Sequence, residues 1–238
     1  MRFVGVDFGW QSQPAGLAVV DWEDSTLHLR ELGRIAEPAL AAAWIAARTA
    51  GRPAGVAVDA PLVIPNATGM READRLTHVL YGKRHAGCYP ANLGRPFAAR
   101  VLDFSRALAE LGFPHGDAVA PGEPARFQIE VYPHAAALEL FRLERILRYK
   151  KGRVAARKSE LERFRGLLLT ELPRCDPPLR LAFLPPIPDT GARLKEVEDQ
   201  LDALLCAYAA AHWWRWGRAR NRLLGSRAEG YIVVPNPP

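Results

Sequence analysis

Two short valine-rich segments, each ending in an aspartate, place the strongest constraint on this chain: VGVDFG at residues 4–9 and VAVDAP at residues 56–61. Valine at this density favours a strand that is buried on both faces. A glycine in the first segment and a proline in the second then end the strand just after the acid. Strands buried on both faces are typical of sheets that helices cover on both sides. The sequence therefore predicts an α/β fold with Asp7 and Asp59 at the ends of two strands.

The remaining segments extend this sheet and cover it with helices. Only Glu23 and Asp24 separate the second strand pattern from the third, so we expect the first three strands to form an antiparallel meander. The expected order is strands at 2–9, 15–22 and 25–32, a helix at 38–50, strands at 54–62 and 125–133, helices at 134–149, 154–171 and 191–214, and an extended segment at 227–235. We expect one domain, residues 1–238, with an insertion at about 63–125 that contains two helices.

Acidic residues lie at the ends of three of the predicted strands and also occur on the last long helix. The acids at the strand ends are Asp7, Asp59 and Glu130. On the helix, Asp199 and Asp202 are three residues apart and therefore lie on one face, whereas Glu198 is expected to face solvent. A single acid at such a place commonly forms a turn, caps a helix or complements the helix dipole. Several acids that converge at one edge of a sheet indicate a site.

Converging carboxylates would repel one another and raise one another's pKa unless a cation lies among them. Oxygen donors without a cluster of histidines or cysteines favour Mg²⁺ or Mn²⁺. Two such ions can activate water and stabilise the leaving oxygen of a phosphodiester, so that no side-chain nucleophile is needed. The expected metal ligands are Asp7, Asp59, Glu130, Asp199 and Asp202, and the expected catalytic residues are Asp7, Asp59, Glu130 and Asp202.

The formal net charge of +6 favours a polyanionic partner, although an arginine-rich composition would produce the same balance. The predicted insertion contains GKRHAGCYPANLGRPFAAR at residues 82–100. We expect Lys83, Arg84 and Arg95 of this segment to bind the phosphates of a substrate, with a solvated loop as the alternative interpretation.

Five motifs in a fixed order resemble the DUF429 family of uncharacterised proteins: GVDFG, AVDAPL, EVYPHAA, DQLDALLCAYAA and AEGYIVVP. The resemblance runs from Arg2 to Pro235. It implies a ribonuclease H-like mixed sheet with helices on both faces, and a nuclease activity. It also implies an acid on the first strand, a second on the fourth and one or two on the last helix, which are the places of Asp7, Asp59, Asp199 and Asp202. Glu130 resembles an additional acid of the family.

The sequence thus favours a metal-dependent nuclease that acts on nucleic acid. A non-catalytic nucleic-acid-binding module is the first alternative. A phosphotransferase with an actin-like fold is a weaker one, because that fold generally needs a duplicated domain and a second glycine-rich phosphate loop. Three widely spaced cysteines and the absence of a long apolar run predict a cytoplasmic protein without a membrane partner. A homodimer is left open.

Overall fold

The computed structural model describes residues 1–10, 14–37 and 40–238. The strands are β1 (Arg2–Asp7), β2 (Ala15–Glu23), β3 (Thr26–Ile35), β4 (Ala54–Val58), β5 (Arg126–Glu130), β6 (Leu179–Arg180), β7 (Asn221–Ser226) and β8 (Gly230–Pro235). The helices are α1 (Ala41–Thr49), α2 (Glu72–Tyr81), α3 (Ala98–Glu110), α4 (Pro133–Leu140), α5 (Val154–Glu171) and α6 (Gly191–Trp216). Pro38 and Ala39, the first two residues of the helix predicted at 38–50, lie outside the described residues.

Six of these strands form one mixed sheet in the order β5-β4-β1-β2-β3-β6. β1, β2 and β3 are antiparallel neighbours, whereas β4 pairs parallel with both β1 and β5. The predicted mixed α/β sheet with helices on both faces is therefore confirmed, and it is consistent with a ribonuclease H-like fold. The antiparallel meander at the beginning of the chain is confirmed with it.

Alternation along β1 divides the core between the two faces of the sheet. Phe3 packs with the residues of α6 on one face, whereas Val4 and Val6 pack with α1 and α3 on the other. Gly5 lets α6 lie directly against the sheet, because a Cβ atom at this position would overlap the carbonyl oxygen of Ala203. This close approach brings the N-terminal half of α6 beside the end of β1, which is Asp7.

Two predicted elements differ from the structure. The helix predicted at 134–149 ends at Leu140, because Arg142 has a left-handed φ of 50° and Arg84 donates hydrogen bonds to the carbonyl oxygens of Leu138 and Leu143. The extended segment predicted at 227–235 is one strand of a hairpin, since β8 pairs antiparallel with β7. Among the described helices, none is long and apolar enough to cross a membrane.

Candidate active site

The ends of β1 and β4 lie side by side and bring two of the predicted acids together. Val6 is opposite Val58 in the parallel pairing of these strands, so Asp7 and Asp59 occupy equivalent positions one residue further on. The backbone N–H of Asp59 donates to the carbonyl oxygen of Val6 at 2.9 Å, which extends the pairing as far as the acid. Both aspartates line a cleft of about 770 Å³ at this edge of the sheet.

Glu130 borders the same cleft but stands out of register with the two aspartates. In the pairing of β4 with β5, Glu130 is opposite Val58, one residue before Asp59. A shift of one residue along a strand reverses the face to which a side chain points. The carboxylate of Glu130 is therefore engaged elsewhere: Arg71 donates to it at 2.6 and 2.8 Å, and the backbone N–H of Leu62 donates at 3.0 Å.

Arg71 joins two buried carboxylates, because it also donates to Asp74 at 2.7 Å. Arg71, Asp74 and Glu130 are at most 4% exposed. Burial raises the pKa of Glu130 to about 7, although the attraction of Arg71 lowers it. Because Arg71 satisfies both oxygens of Glu130, this carboxylate has less freedom to bind a metal than the two aspartates have.

The acids at the N-terminal half of α6 are neutralised by basic side chains. Lys195 Nζ lies 2.7 Å from Asp199 Oδ1 and 2.7 Å from Glu198 Oε1. Arg34 Nε donates to Asp199 Oδ2 at 2.9 Å. The prediction that Glu198 faces solvent is wrong: it is only 1% exposed, because α5 covers this side of α6 and Arg157 of α5 lies 3.4 Å from its carboxylate.

Asp202 is completely buried and pairs with two adjacent residues from the segment between α4 and α5. The hydroxyl of Tyr149 donates to Asp202 Oδ1 at 2.7 Å, and Lys150 Nζ lies 2.8 Å from Asp202 Oδ2. Lys150 also interacts electrostatically with Asp7 and Asp59, and all three line or border the cleft. One ammonium group therefore pairs with the acid of α6 and also attracts the acids at the ends of β1 and β4.

The balance of charge at the strand ends is incomplete. Burial raises the pKa of Asp7 well above its ordinary value and that of Asp59 to about 6. The attraction of Lys150 lowers both pKa values, whereas the repulsion of Asp202 raises both. A raised pKa means that the site disfavours the charged form of the carboxyl group, and an additional cation beside the two aspartates would favour that form.

An aromatic wall forms the other side of the cleft. The rings of Trp10 and Phe97 have centroids 4.6 Å apart, and Tyr89 meets Phe97 at 6.3 Å. The guanidinium of Arg95 lies 4.8 Å from the centroid of the Tyr89 ring and donates to its hydroxyl at 3.1 Å. Tyr89 is 56% exposed, so a flat group that enters the cleft can stack on it.

Of the three basic residues predicted to bind phosphate, the structure places only Arg95 at the cleft. Lys83 is exposed on a turn after α2, outside the residues that line the cleft. Arg84 forms an ion pair with Glu139 at 3.0 Å and ties the end of α4 to the following segment. Its guanidinium is thus used within the fold.

The sequence analysis did not single out the basic partners of the acids. Lys195 could have been found, because it precedes Glu198 and Asp199 by three and four residues on one helix. Lys150 is distant in sequence from Asp202, and Arg71 from Glu130, and no pattern in the sequence links these pairs. His134 was also missed; burial lowers its pKa to about 4, so the cleft contains a neutral imidazole at neutral pH.

The donor chemistry of the site fits a hard divalent cation, since Asp7, Asp59, Asp199 and Asp202 offer carboxylate oxygens. Asp202 Oδ2 is buried and accepts no hydrogen bond from the described residues, because Lys150 lies at ion-pair distance without hydrogen-bond geometry. Within the described ranges, no three acidic, histidine or cysteine side chains are close enough to share one ion. The site therefore fits a metal by the kind of its ligands, while a lysine lies among them.

Comparison with known proteins gives one match. The family model described as "Protein of unknown function (DUF429)" matches residues 5–225. A search of the curated proteins found no match, and a search of the solved structures found none.

Proposed function

This chain belongs to the DUF429 family, and from the geometry of its site we propose that it is a metal-dependent nuclease that hydrolyses a phosphodiester bond with water as the nucleophile. The observation that carries the proposal is the alignment of Asp7 with Asp59 on adjacent parallel strands, beside the buried Asp202 of α6. Asp7 and Asp59 line an open cleft, and the charge of the buried Asp202 acts on both of them. Burial raises the pKa of both aspartates, and the repulsion of Asp202 raises it further.

Asp7, Asp59 and Asp202 would hold Mg²⁺ or Mn²⁺, with Asp199 as a further ligand. The metal, when bound, supplies an activated water and stabilises the charge that develops on the leaving oxygen. The chain itself supplies the positioning. Lys195 lines the cleft as a protonated ammonium group, since its acidic neighbours raise its pKa against the effect of burial. It can bind a non-bridging phosphate oxygen beside the acids.

A side-chain nucleophile is not required by this arrangement. Cys88 borders the cleft, but burial raises the pKa of its thiol to about 12, so the thiol remains protonated at neutral pH. The imidazole of His134 is neutral, but a pKa of about 4 makes it a weak proton acceptor at neutral pH, so the arrangement does not depend on it as a base.

The test is cleavage of end-labelled single-stranded DNA, duplex DNA and single-stranded RNA in the presence of Mn²⁺, with wild type and Asp7→Asn purified in parallel. We expect cleavage of at least one substrate that depends on Mn²⁺ and is lost in the variant. Activity equal in both proteins would identify a contaminant. The absence of cleavage from wild type on every substrate would overturn the proposal.

A second candidate, a non-catalytic nucleic-acid-binding module, is favoured by the two lysines that neutralise the acids without a metal. This candidate predicts salt-sensitive binding of the same oligonucleotides without turnover. Binding by wild type that Asp7→Asn leaves unchanged, together with no cleavage, would support the second candidate over the first.

The aromatic wall gives a prediction about substrate binding. Replacing Tyr89 by alanine is expected to weaken the binding of a single-stranded oligonucleotide by about tenfold, because stacking of one base on an aromatic side chain is lost. Fluorescence anisotropy at fixed ionic strength measures the affinity. Leu93→Ala is the matched control, since Leu93 is 49% exposed in the same segment but does not line the cleft. Equal affinities of the two variants would exclude Tyr89 as a stacking platform.

A further inference from the structure

Lys150 pairs with the buried Asp202 and lines the cleft together with Asp7 and Asp59. Its Nζ lies 2.8 Å from Asp202 Oδ2, and it attracts Asp7 and Asp59 as well. The hydroxyl of Tyr149 holds the other oxygen of Asp202, so the carboxylate is turned with Oδ2 toward the ammonium group. Lys150 thus forms an ion pair with the acid of α6 and attracts those that follow the pairing of β1 with β4 from a greater distance.

The contact between Lys150 and Asp202 is electrostatic and poorly directed. Asp202 Oδ2 is fully buried, yet it accepts no hydrogen bond from the described residues. A buried carboxylate oxygen normally receives a hydrogen bond, and one without it is incompletely satisfied. A cation with open coordination positions would satisfy this oxygen better than the ammonium group does.

The side chain of Lys150 is also able to move away from Asp202. Lys150 lies between α4 and α5, in a segment that forms neither helix nor strand, and its side chain is 30% exposed. Lysine carries its charge on a flexible stem of four carbons, so the ammonium group can move into solvent while the backbone stays in place. The backbone itself is anchored next to it, because Arg157 Nε donates to the carbonyl oxygen of Tyr149 at 3.0 Å.

We propose that Lys150 is an internal counter-ion, which holds Asp7, Asp59 and Asp202 together without metal and is displaced when a divalent cation binds. This inference rests on the proposed metal-dependent function. Lys150 would therefore determine the metal affinity, because its ammonium group and the cation compete for the same carboxylates. Binding of the cation requires the side chain of Lys150 to move away from these carboxylates.

The test is calorimetric titration of Mn²⁺ into wild type, Lys150→Met and Lys151→Met. Methionine keeps the unbranched stem and removes the charge. We expect Lys150→Met to bind Mn²⁺ about tenfold more tightly than wild type, because a positive charge next to the ion is removed. Lys151 is the matched control, since it is the exposed neighbour with the same charge, and Lys151→Met should bind as wild type does.

A measurement on the wild type alone keeps the inference testable if Lys150→Met folds poorly without metal. The acetylation of each lysine by a small reagent is quantified by mass spectrometry with and without Mn²⁺. Displacement predicts that Mn²⁺ increases the labelling of Lys150 and leaves that of Lys151 unchanged. Unchanged labelling of Lys150 in protein that demonstrably binds Mn²⁺ would overturn the inference.

The failures of the two proposals are distinguishable. If wild type binds Mn²⁺ and Lys150→Met binds it equally or more weakly, the counter-ion role is wrong while the metal site stands. If neither protein binds Mn²⁺, even with an oligonucleotide present, the metal-dependent function itself is wrong.

Discussion

Replacement of Arg71 by methionine is expected to lower the free energy of unfolding at pH 7.5 by about 3–5 kcal/mol. Arg71 is 3% exposed and donates to the carboxylates of Asp74 and Glu130 and to the carbonyl oxygen of Val63. Methionine fills much of the same volume but leaves two carboxylates buried without their partner. Urea denaturation followed by circular dichroism measures the difference.

The loss in Arg71→Met should shrink as the pH falls from 7.5 to 5. Burial already raises the pKa of Glu130 to about 7 against the attraction of Arg71, and removal of the guanidinium raises it further. A carboxyl group whose pKa is higher in the folded than in the unfolded protein binds its proton preferentially in the folded state. Protonation at pH 5 therefore removes much of the penalty, and stability is lost as the pH rises through the raised pKa.

Arg75→Met is the matched control for this experiment. Arg75 lies on α2, which Arg71 directly precedes, and pairs with Glu72, but both side chains are exposed, so no measurable change is expected. If Arg71→Met were as stable as Arg75→Met, the buried ion pairs would not support the fold.

The sequence predicted the sheet well because burial and alternation determine it locally. Valine-rich strands that end in Asp7 and Asp59 align in the parallel pairing, and this alignment follows from the fold class alone. Of the β7–β8 hairpin, the sequence predicted only the second strand. The first strand, β7, has the sequence NRLLGS, which shows no strand pattern, and it pairs with β8 in the structure. The early end of α4 depends on the left-handed backbone of Arg142. Arginine rarely adopts this conformation, so its presence in the sequence does not predict the end of the helix.

The site was predicted less completely than the sheet, because its charges are balanced by residues from distant parts of the chain. Glu130 looks equivalent to Asp7 and Asp59 in sequence, yet a one-residue difference in register directs it to Arg71. Lys150 lies in a basic segment next to Lys151, and the sequence does not show which of the two lysines pairs with the acids. Which lysine enters the acid cluster is decided by the course of the segment between α4 and α5.

Asp59→Asn is expected to make the metal-free protein more stable and to abolish the cleavage that we propose. Burial raises the pKa of Asp59 to about 6. At pH 7 the ionised carboxylate is therefore less favourable in the folded state than in the unfolded state. Asparagine keeps the shape and removes the charge. We expect a gain of about 1–2 kcal/mol in the free energy of unfolding at pH 7, less than the full shift would give because Asp59 is partly exposed.

The pH dependence gives this gain a distinct signature. The wild type loses stability as the pH rises from about 4 to about 6, the interval between the ordinary and the raised pKa of Asp59, whereas the variant lacks this contribution. The two proteins should therefore be similar in stability near pH 4 and differ at pH 7. Asp103→Asn is the control, because Asp103 is exposed on α3 and pairs with Arg106 there, so its removal should change neither stability nor cleavage measurably.

Stability and cleavage should thus move in opposite directions in Asp59→Asn, with Mn²⁺-dependent cleavage falling by about a thousandfold if Asp59 ligates the metal. Acids whose charge lowers the stability of the folded protein are concentrated at functional sites. If the variant is instead less stable than wild type at pH 7, the attraction of Lys150 and Lys195 outweighs the effect of burial on Asp59. The aspartate would then be a partner in a structural ion network, and the acid cluster would no longer indicate a metal site.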